Sequence, residues 1–336
     1  MMTGRERVKA ALTFNHPDRV PRDLWALKYV TFARKSEYQD VLNEFPMDTI
    51  SADADYLPSD RGLPYYPEPG YYTDHWGCVW HVGEPGVIGE VKHPALPDWS
   101  GLAHFQPPWE RLRGRKFDSV SRLYESTERF VFSEWTAAPF ERMQFLRGTE
   151  SLFMDMAYGT KEVRDLLQMV HEYNLEDIRQ WSSADVDGII FADDWGSNQN
   201  LLISPRMWRE LFKPLYKEYV DLIHAGGKFA FYHSDGQISS IYGDLVEIGI
   251  DALNSQLFVM DIEELGRKYS GKITFWGELD RQHILPFGTP EDVQAAIQRL
   301  RKALWREDGG CIAQLEWGKN DPRENVQAAF QAWSDI

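Results

Sequence analysis

Residues 188–236 read GIIFADDWGSNQNLLISPRMWRELFKPLYKEYVDLIHAGGKFAFYHSDG, and this stretch decides the fold. An apolar run, Gly188–Asp193, ends in paired carboxylates, Asp193-Asp194. Ser204-Pro205 then supplies a helix N-cap and a first-turn proline, which predicts a helix over Pro205–Ala225. Gly226-Gly227 stops it, and a second apolar run, Lys228–His233, ends in His233-Ser234-Asp235. Strand, helix and strand in that order make a parallel βαβ unit, with polar residues gathered where each strand ends.

Outward from this unit the pattern repeats. Further strands are expected at Asp23–Leu27, Thr49–Tyr56, Arg129–Trp135, Ala252–Gln256, Lys272–Gly277 and Gly310–Leu315. Helical spacing marks Arg5–Asn15, Lys161–Ser183, Ile238–Ile248, Asp261–Tyr269 and Pro290–Trp305, the last preceded by the cap Thr289. Eight alternating strands in one chain predict an α/β fold, a (β/α)8 TIM barrel, as one domain over 1–336. The segment 57–128, between the second and third strands, breaks the pattern and is expected to form an extended insertion or lid. Its Tyr65–Trp109 portion is rich in Pro, Gly and aromatic rings; such rings suit a flat apolar substrate, and they suit buried packing still better. Nucleotide fingerprints of the G-x-G-x-x-G and G-x-x-x-x-G-K-[ST] kind are missing.

Charge and composition narrow the function. With 52 acidic against 36 basic residues, the net charge of −16 opposes nucleic acid and anionic membranes as partners. No apolar run reaches the roughly 18 residues of a spanning helix. The start, MMTGRERVKAAL, reads as an amphipathic helix and not a signal peptide. Two cysteines, Cys78 and Cys311, argue against a disulfide framework, so a cytoplasmic location is expected.

In a barrel of this kind the chemistry sits past the C-terminal strand ends. The residues there are Asp53 and Asp55, Glu134 and Trp135, Asp193 and Asp194, His233 and Asp235, Asn254 and Gln256, Glu278 and Asp280, and Glu316. Hydrogen bonding to loops and helix starts accounts for any one of them; the set as a whole points to a metal site or acid–base work. His233, Glu278 and Glu316 form the sharpest group, since one imidazole and two carboxylates with an open position match a catalytic zinc site, with Asp235 as a fourth ligand or an orienter. The same three residues could instead act as general acids or simple hydrogen-bond partners. Asp193 and Asp194 cannot both enter one pocket, so one is expected to cap a turn or helix while the other faces the site.

Several segments together resemble the uroporphyrinogen-decarboxylase-like superfamily: TGRERVKAALTFNHPDRVPRDLW (3–25), TDHWGCVW (73–80), WTAAPFERMQFLRG (135–148), the stretch from Phe191 to Gly236, and WGELDRQHILPFGTPEDV (276–293). The resemblance runs from about Thr3 to Ala332. It implies the barrel and one of two activities, a cofactor-free decarboxylation or a methyl transfer involving a corrinoid and usually zinc. The decarboxylases carry an arginine-rich Gln-Ala-Gly-Arg motif after the first strand and Gly-His-Gly after the eighth; here those places read DLWALKYV, with Lys28 the sole cation, and Leu315-Glu316-Trp317-Gly318. A polycarboxylate would bind poorly there. The zinc methyltransferases carry His-x-Cys and a later Cys, where this chain has His233-Ser234-Asp235 and Glu316. Harder ligands disfavour a thiol acceptor and favour cleavage of a methyl ether or a methylamine-like substrate.

The implied site is therefore Glu278, Glu316, His233 and Asp193 as catalytic groups, and His233, Asp235, Glu278 and Glu316 around a divalent metal, zinc or another ion. Asp53, Asp55, Trp135, Asp194, Asn254 and Gln256 are assigned to the substrate. An Asp-x-His-x-x-Gly corrinoid motif is lacking, since His224 has no Asp two residues earlier, so the corrinoid is expected on a separate protein that docks at the barrel mouth. The resemblance also makes a homodimer plausible. A lyase acting on a smaller carboxylic acid and a non-enzymatic small-molecule binder stay open as alternatives.

Overall fold

The computed structural model describes residues 1–56, 68–87 and 89–334. Eight parallel strands run Arg22–Ala26, Thr49–Ser51, Phe130–Trp135, Gly188–Ala192, Phe229–Ser234, Ala252–Ser255, Thr274–Trp276 and Cys311–Trp317, and helices surround them. From the second strand to the eighth each pairs with its successor, and the eighth pairs with the first. The barrel is nearly closed, and its seam lies between the first and second strands.

One carboxylate bridges that seam. Asp48 donates its N–H to the Arg22 carbonyl at 2.9 Å, and its Oδ2 accepts the Arg22 N–H at 2.7 Å. Buried Arg7 and half-buried Arg19 neutralise it at 2.5 and 2.7 Å. Thr49 Oγ1 adds a bond across the seam to Asp23 Oδ1 at 2.6 Å. A buried charge is tolerable when paired and hydrogen-bonded in this way.

The barrel interior is filled with aromatic rings. Phe130, Phe132, Phe231 and Trp276 stack with Ile190 and Ile312, and Trp25 packs on top. The N-terminal helix Gly4–Leu12 closes the lower end with Val8 and Leu12, and starts on the capping pair Thr3 and Glu6. Such filling makes the interior a core and leaves the upper strand ends as the place for a site.

The expected caps Ser204 and Thr289 are present, each accepting an N–H of its first turn. The helix expected over Pro205–Ala225 is broken into Pro205–Leu211 and Lys213–Ala225. Pro214 explains the break, because its ring displaces the carbonyl four residues back and supplies no N–H. The second strand is shorter than expected, ending at Ser51, and Asp55 instead forms an isolated bridge to Lys116.

Within the expected insertion, residues 57–67 and 88 lie outside the described residues. The rest forms an antiparallel sheet of Gly70–Thr73, Val79–Val82 and Glu90–His93, followed by short helices. Its buried face packs outside the barrel: Trp76 and Trp109 meet Tyr173 of the long helix Lys161–Ser182, and the Leu96 N–H bonds the Leu146 carbonyl at 2.7 Å. Most of these rings are therefore core. The turn near Gly86 lies against Tyr29 and Phe32, past the end of the first strand, and Glu84 beside it pairs with Lys319. No described helix is long and apolar enough to cross a membrane.

Candidate active site at the barrel mouth

His233 lies one residue before the end of the fifth strand, opposite Asn254 of the sixth. The Asn254 side-chain N–H groups are both spent, on the Trp276 carbonyl at 2.6 Å and Gln314 Oε1 at 2.9 Å. Its Oδ1 therefore accepts from the His233 ring at 2.6 Å, which fixes the proton on Nδ1. The lone pair of Nε2 is left pointing at two carboxylates, Asp194 Oδ1 at 3.5 Å and Asp235 Oδ1 at 3.6 Å. One ligand atom from each of Asp194, His233 and Asp235 fits within 4.8 Å.

Two glycines bring the aspartates together. A Cβ on Gly196 would lie 2.4 Å from the Gln237 nitrogen, and one on Gly236, whose φ is +81°, would lie 2.1 Å from the Gly196 oxygen. The loops after the fourth and fifth strands thus touch through bare backbone. The Gly196 N–H bonds the Asp235 carbonyl at 3.0 Å, and the Asp235 N–H bonds Asp194 Oδ1 at 3.0 Å. Gln256 braces the same turn by accepting the Gly236 N–H at 2.9 Å.

Asp193 and Asp194 divide their work. Asp193 is fully buried and turned away from His233: it accepts the Phe140 and Glu141 N–H groups at 3.0 and 2.8 Å and the Tyr216 hydroxyl at 2.5 Å. It caps the helix Pro139–Arg147. Asp194 is the one at the site. Burial and the adjacent Asp235 raise its carboxyl, and Glu141, half-buried beside the pair, is pushed up to about 8 by desolvation and by Asp194.

The glutamates form a second group. Arg281, five residues past the end of the seventh strand, pairs with Asp235, with Glu316 at 3.0 Å and with Glu278 at 3.5 Å. Glu278 is 1% exposed, and burial raises it well above the ordinary carboxylate range. Of the four residues read from the sequence as a metal set, the structure places Asp235, together with Asp194, beside His233, whereas Glu278 and Glu316 pair with Arg281.

Other positions take other places. Trp135 is half exposed and packs edge-on against Trp25 at 5.2 Å and His233 at 5.7 Å, with Trp25 itself 5.3 Å from His233. These rings wall the mouth. Asp53 is exposed and offers its carbonyl to Ser119, and Asp55 accepts the Ser119 N–H at 2.9 Å at a helix start. Both are tied to the insertion. Beyond Arg281 lies a pocket of about 140 Å³ lined by Asn198, Gln256, Phe258, Glu278 and Gln282 among others.

Residues that sequence reasoning missed are Arg281, Glu141 and Trp25. Arg281 carried one available signal, its place three residues after Glu278. Asn254 holds the His233 proton on Nδ1 and leaves Nε2 as an acceptor, so, for a metal held at Nε2, Asn254→Leu is expected to weaken divalent binding about 10- to 100-fold, as loss of such a partner generally does. Isothermal titration with zinc on the purified variant checks this.

Fold and site define a class: a (β/α)8 barrel whose upper rim carries an imidazole between carboxylates. A family model for uroporphyrinogen decarboxylase matches residues 77–335, and the chain belongs to that family. Among solved structures, a methyltransferase from Methanosarcina mazei is similar over 100% of this chain and 99% of its own, at 15% identity and a TM-score of 0.73. That likeness shows the fold. A glycosylated endo-β-1,4-xylanase from Gloeophyllum trabeum covers 96% of this chain and 98% of its own at 8% identity, and its TM-score of 0.48 is too low to bear on the site. No curated protein matches the sequence.

Proposed function

We propose that this chain is a methyltransferase that moves a methyl group from a small methylated substrate, a methyl ether or a close analogue, to a corrinoid carried by a separate protein. The observation that carries this reading is His233, its proton held on Nδ1 and its Nε2 lone pair turned toward Asp194 and Asp235 at the barrel mouth. Electrostatics weighs against a polycarboxylate substrate. Arg281 is already shared by three carboxylates, and Asp194 and Glu141 add more acid to the same rim.

The residues fit a divalent cation. Asp235 Oδ1 is buried with no hydrogen-bond partner among the described residues, and it faces the His233 lone pair. Asp194, His233 and Asp235 would hold the ion, and it would supply Lewis acidity toward the substrate oxygen. The remaining work falls to the chain itself. Trp25 and Trp135 give the methyl-bearing group an apolar wall. Glu278, whose carboxyl burial raises above the ordinary carboxylate range, is placed to give up the proton that a leaving alkoxide or phenoxide requires. The methyl–oxygen bond breaks, its electron pair stays on oxygen with that proton, and the methyl carbon goes to the incoming nucleophile. The proposal takes the corrinoid protein as a transient partner and a homodimer as the resting assembly.

The test is methyl transfer to free cob(I)alamin from a panel of methyl ethers and methylamines, followed by the absorbance of methylcobalamin. Product from any panel member that requires His233 supports the reading. Inactivity across the panel, with carbon dioxide released from small carboxylic acids instead, replaces it with the lyase alternative.

A further inference from the structure

We propose that Arg281 is the specificity-determining residue of the metal centre: it holds Glu278 and Glu316 out of it and confines a divalent ion to Asp194, His233 and Asp235. The inference rests on reading that trio as a metal site.

By residue type alone, Asp194, Asp235, Glu278 and Glu316 are equivalent oxygen donors for a divalent ion. What separates them is one guanidinium. A planar fork with five donors can serve several carboxylates at once, and a point-charged ammonium cannot. Arg281 uses one terminal nitrogen for Glu316 and Glu278 and the other for Asp235. Asp235 is divided between the two groups: its Oδ2 goes to Arg281 and its Oδ1 turns to His233, buried and unpartnered. Arg281 thereby decides which oxygen of Asp235 is offered.

An independent observation comes from Glu278. Its side chain is 1% exposed, it lines the adjoining pocket, and its Oε1 has no hydrogen-bond partner among the described residues although the guanidinium stands 3.5 Å away. A buried carboxyl this poorly satisfied could exchange its proton for a cation and use Oε1 as a ligand. An ion entering between Glu278 and Glu316 would have to displace the guanidinium, because two cations cannot share that space at low cost. With Arg281 in place the ion goes to the trio. Without it, the rim becomes one continuous set of His233, Asp235, Glu278 and Glu316.

The experiment is equilibrium dialysis of the full chain against zinc, with cobalt(II) absorption spectra as a second readout. It compares wild type, Arg281→Met and Arg281→Lys, each with and without Glu316→Gln. In wild type, Asp194→Asn is expected to weaken zinc at least about tenfold, while Glu316→Gln changes it less than about threefold. In the Arg281→Met background, Glu316→Gln is expected to weaken zinc at least about tenfold and to alter the cobalt spectrum. Arg281→Lys keeps the charge but cannot span three carboxylates, so it should show the same new dependence to a smaller degree. It also carries the test if the methionine variant does not fold. Sensitivity to Glu316 already present in wild type overturns the proposal, and so does silence of Glu316→Gln in both Arg281 backgrounds. Wild type that binds no zinc overturns the trio reading itself and this inference with it, and that result is seen before any Arg281 variant is compared.

Discussion

His233→Ala is expected to lower methyl transfer to cobalamin by at least about a thousandfold and to remove bound divalent metal, with the thermal midpoint changed by only a few degrees. The size follows from what the ring does. A Lewis-acid contribution of several kcal/mol to the barrier is typical of a catalytic metal, and about 4 kcal/mol corresponds to a thousandfold in rate. Asp194 and Asp235 alone supply hard oxygen donors without the nitrogen that zinc prefers. The structural cost is smaller. The variant leaves Asn254 Oδ1 without its donor and opens space beside Trp25 and Trp135, at about 1–3 kcal/mol for the unsatisfied group. Metal analysis, turnover and a thermal melt on the same preparation separate the two effects. Activity within tenfold of wild type would remove His233 from the mechanism.

The barrel was legible because strand and helix periodicities differ and because caps and glycines punctuate them. Ser204-Pro205, Thr289-Pro290 and Gly226-Gly227 all act where the sequence places them. The rim was legible as a set, since each polar candidate follows an apolar strand. Its internal grouping was not. Sequence spacing shows that His233, Glu278 and Glu316 stand at the ends of the fifth, seventh and eighth strands, but not that a guanidinium from the loop after the seventh strand stands among them. Nor does it reveal that two bare glycines, Gly196 and Gly236, press the fourth and fifth loops together and bring Asp194 to His233. The seam closure by Asp48 was hidden for a related reason: its partners Arg7, Arg19 and Arg22 come together only once the barrel bends around.

The Asp193-Asp194 pair gives the sharpest contrast between neighbours. The sequence dictates that they diverge, and the structure shows in which direction. Asp194→Ala is expected to abolish metal binding with the fold retained, because that side chain is 42% exposed at the rim. Asp193→Ala should instead lower unfolding free energy by about 3–5 kcal/mol in chemical denaturation. It orphans three buried donors, the Phe140 and Glu141 N–H groups and the Tyr216 hydroxyl, at about 1–3 kcal/mol each before relaxation. It also takes a carboxylate from a helix N-terminus. The pH dependence provides an internal check. Burial pushes Asp193 up to about 7 from the 3.8 of the free side chain. An acid raised on folding binds its proton more tightly in the native state, so its contribution is full below pH about 4 and is lost as pH rises through about 7. Glu141 and Glu278 are raised as well and tilt the curve the same way, so the informative quantity is the wild-type stability minus that of Asp193→Asn. That difference should shrink between pH 4 and 7. A difference that stays flat would mean that its three donors keep Asp193 ionised throughout, as a purely structural anion.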